Sequence, residues 1–314
     1  MLILIARRAV MSVVLIVVSS LAIFVLMSFV PGDPALTILG EHATPEALQR
    51  LRESLGLNRP LYEQYGDWLF GLIRGDLGTS IFSGEPVAKL IGLRVGVTVS
   101  LMVGSVVVIA VFGVALGLLS AVREGWVGRV VDAVSLLGFA LPGFWIAIVL
   151  VAIFAVTLRV FPATGYVPPT VSPTGWLLSL VLPVIALSIG GITIIAKQMR
   201  DSARDVLARD YIRVLRATGL SERRILLLHV LRNAAVPTTT LLGLTAVSVL
   251  SGAVFIENVF VLPGLGSLVT SATLRHDLPI VLGVGVVFAV IVIVINLLVD
   301  LAYGVLNPKA RVVS

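Results

Sequence analysis

Residues 197–237 read KQMRDSARDVLARDYIRVLRATGLSERRILLLHVLRNAAVP, and the fold class turns on this stretch and its flanks. It carries Lys197, Arg200, Arg204, Arg209, Arg213, Arg216, Arg223, Arg224 and Arg232 against Asp201, Asp205, Asp210 and Glu222. On both sides lie apolar runs that reach the roughly 20 residues needed to cross a hydrocarbon core. A basic segment between membrane spans belongs on the cytoplasmic side. From Ala203, apolar residues recur at Leu207, Tyr211, Val214 and Leu215, which predicts an amphipathic helix. Asp205 precedes Arg209 by four residues and Asp210 precedes Arg213 by three, so acid faces base along that helix. Gly219 ends it, because glycine takes the left-handed conformation without steric cost. Ser221 is then an N-cap, with Glu222 in the first turn of a short second helix over 222–231. That helix offers Ile225 and Leu228 among arginines, and Pro237 suits the first turn of the next helix. By charge alone, such a loop either lies on anionic headgroups or touches a soluble partner.

Composition narrows the function classes. The 314 residues are 58% hydrophobic and 13% charged, far more apolar than a soluble domain. The net charge of +6 is not a nucleic-acid signal, since the excess base lies beside membrane spans. With no cysteine there is no disulfide, thiolate metal site or cysteine nucleophile. No G-x-x-x-x-G-K-[ST] loop is present, so the chain has no ATP site of that kind. His42, His229 and His276 are too scattered to suggest a metal site. Asp132, Lys197 and Asp300 lie near the inner ends of spans, which argues against a proton relay or a sodium-coupled carrier.

The apolar runs predict six spans, at 9–30, 96–121, 131–158, 176–196, 238–256 and 280–303, with both termini inside. Arg7 and Arg8 precede a first run too long for a cleaved signal, so it is expected to remain as an anchor. Pro31-Gly32-Asp33-Pro34 ends it. The polar stretch to Arg94 has more acids than bases and two candidate helices, one after the N-cap Thr44 and one over 61–73 with Tyr62, Tyr65, Trp68 and Phe70. That stretch is expected outside. Ser100-xxx-Gly104 and Gly113-xxx-Gly117 predict close backbone approach by the second span. Pro142-Gly143, Pro183 and Gly190-Gly191 interrupt the spans, either as hinges or as bends packed against neighbouring helices, and bends are the favoured reading. The expected division is therefore 1–30 for the N-terminus and first span, 31–94 for the insertion, 95–303 for the remaining spans with the loop 197–237, and 304–314 for a cytoplasmic tail.

Ala208-Arg-Asp-Tyr-Ile-Arg-Val-Leu-Arg-Ala-Thr-Gly-Leu-Ser-Glu-Arg-Arg-Ile225, with Leu231-Arg-Asn-Ala-Ala-Val-Pro237, resembles the cytoplasmic coupling loop of ABC importer permeases. The likeness is to the dipeptide, oligopeptide and nickel permeases, and within them to the B-type subunit. Along the chain it is carried by Pro31-Gly-Asp-Pro34, Leu55-Gly-Leu-Asn-Arg-Pro-Leu61, Arg74-Gly-Asp-Leu-Gly-Thr-Ser80, Leu141-Pro-Gly-Phe-Trp145 and Phe161-Pro-Ala-Thr-Gly-Tyr166. Phe255-Ile-Glu-Asn-Val-Phe260, Pro263-Gly-Leu-Gly266 and Asp300-Leu-Ala-Tyr-Gly-Val-Leu-Asn-Pro308 complete it. The Glu-Ala-Ala that names the loop is Arg213-Val214-Leu215 here, while Gly219 is kept.

The resemblance implies an all-α integral membrane protein of six transmembrane helices, like a type I ABC importer permease, with a helical extracytoplasmic insertion between the first two. It implies a translocation subunit for peptides in a bacterial inner membrane. The expected partners are a C-type second permease, two ATP-binding subunits and an extracytoplasmic substrate-binding protein, besides membrane lipid. ATP and Mg would be bound by the partner subunits, so no cofactor, metal or catalytic residue is expected in this chain. The residues expected to couple to the ATPase are Arg213, Arg216, Ala217, Gly219, Leu220, Ser221, Glu222, Arg223, Arg224, Ile225 and Leu228. Asp33, Trp68, Asp76, Glu257, Arg275 and Asp277 are the expected docking residues for the binding protein. The competing readings from the residues alone are a stand-alone six-span channel or secondary carrier, and a purely structural membrane subunit.

Overall fold

The computed structural model describes residues 2–40, 43–122 and 141–306, and the regular elements among them are helices, with one isolated bridge between Thr79 and Pro86. In chain order these are α1 (Leu2–Ser28), α2 (Pro34–Leu39), α3 (Pro45–Ser54), α4 (Leu61–Ile73) and α5 (Val87–Val122). Then come α6 (Gly143–Thr157), α7 (Pro173–Leu207), α8 (Asp210–Ala217), α9 (Glu222–Val259), α10 (Leu265–Arg275) and α11 (Leu278–Leu306). Five of these, α1, α5, α7, α9 and α11, are long and apolar enough to cross a membrane; α6 is a shorter apolar helix. The expected third span lies partly in 123–140, outside the described residues. Its second half is α6, which starts after Pro142 as the sequence suggests.

Three boundaries differ from expectation. Helix α5 begins at Val87, inside the stretch read as polar insertion, because Val87 and Ile91 turn into a packed core. The helix read across 203–215 is broken: α7 ends at Leu207, and Arg209 is extended at ψ 144° before α8. The second helix of the loop is not short. It widens to a π-helix over Ile225–Val230 and continues through Pro237 to Val259. A membrane helix tolerates the donor lost at an internal proline, since neighbouring groups re-satisfy the freed carbonyl. Helix α7 likewise runs unbroken through Pro183 and Gly190-Gly191.

The chain divides into two compact units. The first comprises residues 1–97 and 263–293. Its core joins Val87 and Ile91 of α5, Leu265, Leu268 and Ala272 of α10, and Ile280, Val281 and Val284 of α11. Ile23 and Met27 of α1 pack against it. A Cβ at Gly283 would lie 2.6 Å from Val87, and one at Gly285 2.4 Å from Ile23, so small residues on α11 admit both neighbours. Tyr65 of α4 ties to α1, its hydroxyl 3.0 Å from Ser20 Oγ and 3.2 Å from the Val17 carbonyl.

The second unit comprises residues 98–262 and 294–314. There α5 lies against α7: a Cβ at Gly113 would come 2.8 Å from Ile195, and one at Gly117 2.6 Å from the Ala196 carbonyl. This is the close approach that the Gly113-xxx-Gly117 spacing suggests. Ile109, Ile195 and Val249 form a core where α5, α7 and α9 meet.

Candidate functional site

The basic stretch folds as an elbow. After the extended Arg209, α8 ends in a turn in which Leu220 N–H donates to the Leu215 carbonyl at 3.2 Å and Gly219 N–H to the Arg216 carbonyl at 3.0 Å. This is a Schellman motif. It places Gly219 at φ 81°, as expected, with nothing within 4 Å of a Cβ there. Glycine is therefore required by the backbone and not by crowding. Arg216 spans the turn, donating through Nε to Glu222 Oε1 at 2.7 Å and through its second nitrogen to Oε2 at 3.3 Å. The guanidinium holds the Glu222 carboxyl below its ordinary value. The Ser221 side chain makes no cap hydrogen bond, contrary to expectation; the fork on Glu222 bridges this turn instead.

The inner face of the elbow is a core of Met199, Ala203 and Val206 of α7, Ile212 of α8, and Ile225, Val230 and Ala234 of α9, with Ala121 of α5. Leu215 and Leu220 pack against it. Ile225 is fully buried here, which corrects its expected role as half of an exposed contact. Leu228 is exposed as expected; Tyr211 and Val214, read as part of the apolar face running from Ala203, are exposed too, together with Leu227, which the sequence reading did not single out. The signal for Leu227 was the unbroken run Ile225-Leu-Leu-Leu228, longer than one buried face needs. Arg213, Ala217, Arg223 and Arg224 are also on the exposed side. Asp210 pairs with Arg213 at 3.3 Å. No Asp205–Arg209 pair forms among the described residues, because Arg209 has left the helix. In the π segment the His229 carbonyl accepts from Asn233 Nδ2 at 2.7 Å. Beside the elbow is a recess of about 920 Å3 between the end of α7, the start of α9 and Leu306 of α11.

The outer candidates separate into surface and interior. Glu257 is fully buried near the end of α9 and accepts from Thr98 Oγ1 at 2.6 Å. Asp277 is 2% exposed and accepts from Ser80 Oγ at 2.6 Å and from the Ile81 N–H at 3.3 Å. Burial removes both from any docking surface; each ties distant parts of its own unit together. Asp33 caps α2 through the Ala35 N–H at 2.9 Å and pairs with Arg52, whose Nε lies at 2.8 Å. Burial raises its carboxyl pKa, but the Arg52 side chain and the Ala35 amide outweigh that and hold it below the ordinary value. Trp68 is half-buried in a row with Tyr65 and Phe24, at ring distances of 6.0 and 5.4 Å. Asp76 and Arg275 remain exposed. Among the described residues, no group of three or more His, Asp or Glu is placed to hold a metal.

The family described as "Binding-protein-dependent transport system inner membrane component" matches residues 113–312, and its N-terminal companion matches residues 1–102. The chain belongs to this family. It is a multi-pass inner-membrane permease subunit of an ABC transporter and not itself the ATPase; ATP is bound in partner subunits. A "putative peptide transport system permease protein" of Brucella abortus (strain 2308) is 39% identical over 98% of each chain. A "probable peptide ABC transporter permease protein" of Sinorhizobium fredii is 38% identical over 98% of each chain. A "glutathione transport system permease protein" of Pectobacterium atrosepticum is 37% identical over 92% of each. Among solved structures, an inward-facing MetNI methionine ABC transporter chain aligns with TM-score 0.58 at 17% identity, covering 70% of this permease and 97% of that chain. That likeness is one of fold.

Proposed function

We propose that this permease is the B-type translocation subunit of an ATP-driven peptide importer, sharing its pore with a C-type permease. Two ATP-binding subunits grip the elbow from the cytoplasm, and an extracytoplasmic binding protein delivers cargo. Peptide cargo is supported by the names of relatives that match nearly the whole chain. Six spans are counted by adding the run 131–158 to the five long helices, which leaves both termini cytoplasmic.

The observation that carries the coupling role is the division of the elbow into two faces. Ile212 and Ile225 lock it to α7 and α9, while Tyr211, Val214, Leu227 and Leu228 stand exposed among Arg213, Arg223 and Arg224. An apolar ridge with a cationic rim is what a partner's groove receives. Because α9 runs unbroken from the elbow into a membrane span, a push on the exposed face moves that span. Closure of the ATP-binding subunits then favours one access state of the pore. On the outer side, Asp76 and Arg275 are the surface residues for docking, with Asp33 and Trp68 shaping the support beneath; Glu257 and Asp277 act within the fold.

The test is Gly219→Val in the assembled transporter. A β-branched residue at positive φ distorts the turn without filling any occupied space. Assembly with reduced ATP-driven uptake of a labelled peptide is expected; full uptake by an assembled complex refutes the coupling role. A peptide panel on the same complex decides the cargo class.

A further inference from the structure

Resting on the cytoplasmic placement of the elbow, we propose that the 920 Å3 recess beside it holds the headgroup of an anionic glycerophospholipid from the inner leaflet. The phosphodiester lies on Arg209 and Arg232, and the acyl chains run along Val236, Pro237 and Leu306.

Three observations carry this. The first is charge. Arg209 and Arg232 line the recess against one acid, Asp205, and neither arginine has an ion pair among the described residues. Two arginines lining one cavity suit a phosphodiester, and each cation near a membrane surface contributes about 1 kcal/mol toward an anionic lipid. The second is amphiphilicity, since Val236, Pro237 and Leu306 give the recess an apolar wall that a free anion would not use. The third is depth. Helix α11 carries Asp300 and Tyr303 near its inner end, residues that belong at headgroup level, and Leu306 lies one turn beyond. The recess is thus level with lipid phosphates. Leu227 and Leu228 of the ridge assigned to the ATPase also line the recess, so the two adjoin, but Arg213, Arg223 and Arg224 do not line it.

The experiment uses the whole transporter, purified with its partner subunits, stripped of lipid and offered phosphatidylglycerol or phosphatidylcholine, with retained lipid counted by native mass spectrometry. Phosphatidylglycerol retained in preference to phosphatidylcholine is expected. R209Q/R232Q should weaken that retention about tenfold with unchanged subunit composition. R209K/R232K, which keeps the charge, should restore most of it, and R213Q/R224Q should leave it as in the parent. Equal retention of both lipids, no effect of R209Q/R232Q, or displacement of the lipid by millimolar inorganic phosphate overturns the proposal. Loss of ATP-binding subunits from R209Q/R232Q with lipid retained also overturns it and makes the recess a protein contact. Failure of the coupling reading shows separately, as absence of ATP-binding subunits from the parent complex.

Discussion

At the scale of single residues, Ile225 and Leu228 separate packing from partner contact. Ile225→Ala empties a fully buried site and is expected to cost about 2–4 kcal/mol, read as a lowered melting temperature in detergent. Leu228→Ala, on the exposed face, is expected to change stability by less than about 0.5 kcal/mol and to reduce co-purification of ATP-binding subunits. The reverse pattern refutes the two-faced elbow. Glu222 supplies a pH dependence. Its pKa is lowered by the Arg216 hydrogen bond, so the fork is intact at neutral pH and is lost only as pH falls through that lowered value. The contribution of this solvent-screened pair to thermal stability should therefore be constant at neutral pH and lost only in acid. E222Q should make the acid dependence slightly shallower without removing the part due to other carboxylates such as Asp33. Gly219 was legible in the sequence, because a glycine after an amphipathic stretch has one common use. Ile225 was not, because four consecutive apolar residues leave periodicity nothing with which to choose a face.

At the scale of elements, the boundaries that moved were those set by packing. Helix α5 extends to Val87 because the unit core accepts that turn, and α9 absorbs a π segment with a side-chain amide on one of its carbonyls. Local propensity carries no term for either. The α5–α7 contact, by contrast, was visible as small residues four apart. Gly117→Leu would drive a side chain against the Ala196 carbonyl and the Met199 side chain, and backbone cannot step aside as a rotamer can. It is expected to destabilise by about 1–3 kcal/mol, seen as lower yield of monodisperse protein and a lower melting temperature. Gly304→Leu, at a site where an added Cβ meets nothing within 4 Å, is the matched control. Equal behaviour of the two would refute the close approach.

For the whole molecule, the exposed apolar residues along α1, including Val10, Val14, Val18 and Leu26, describe a helix with its side to lipid or to a second permease. The topology expected from the basic loops is testable with reporters active only in the cytoplasm. Fusions after Ser314 and within the 218–221 turn should both report inside, and one within the 82–85 turn should not. An outside signal from the elbow would remove it from the reach of ATP-binding subunits and end the coupling proposal.

What the amino-acid order determined alone is everything that depends on transfer between water and hydrocarbon or on one residue's backbone freedom. That covers the runs long enough for a bilayer, the break at Gly219 and the absence of a G-x-x-x-x-G-K-[ST] loop. The family likeness was legible for the same reason, since its motifs are short and local. Only tertiary structure decided that Ile225 is core while Tyr211, Val214 and Leu227 are surface, that the elbow is continuous with a span, and that Glu257 and Asp277 are interior ties. Those outcomes depend on which distant segments meet, and a carboxylate at a span's end looks the same in sequence whether water or Thr98 satisfies it.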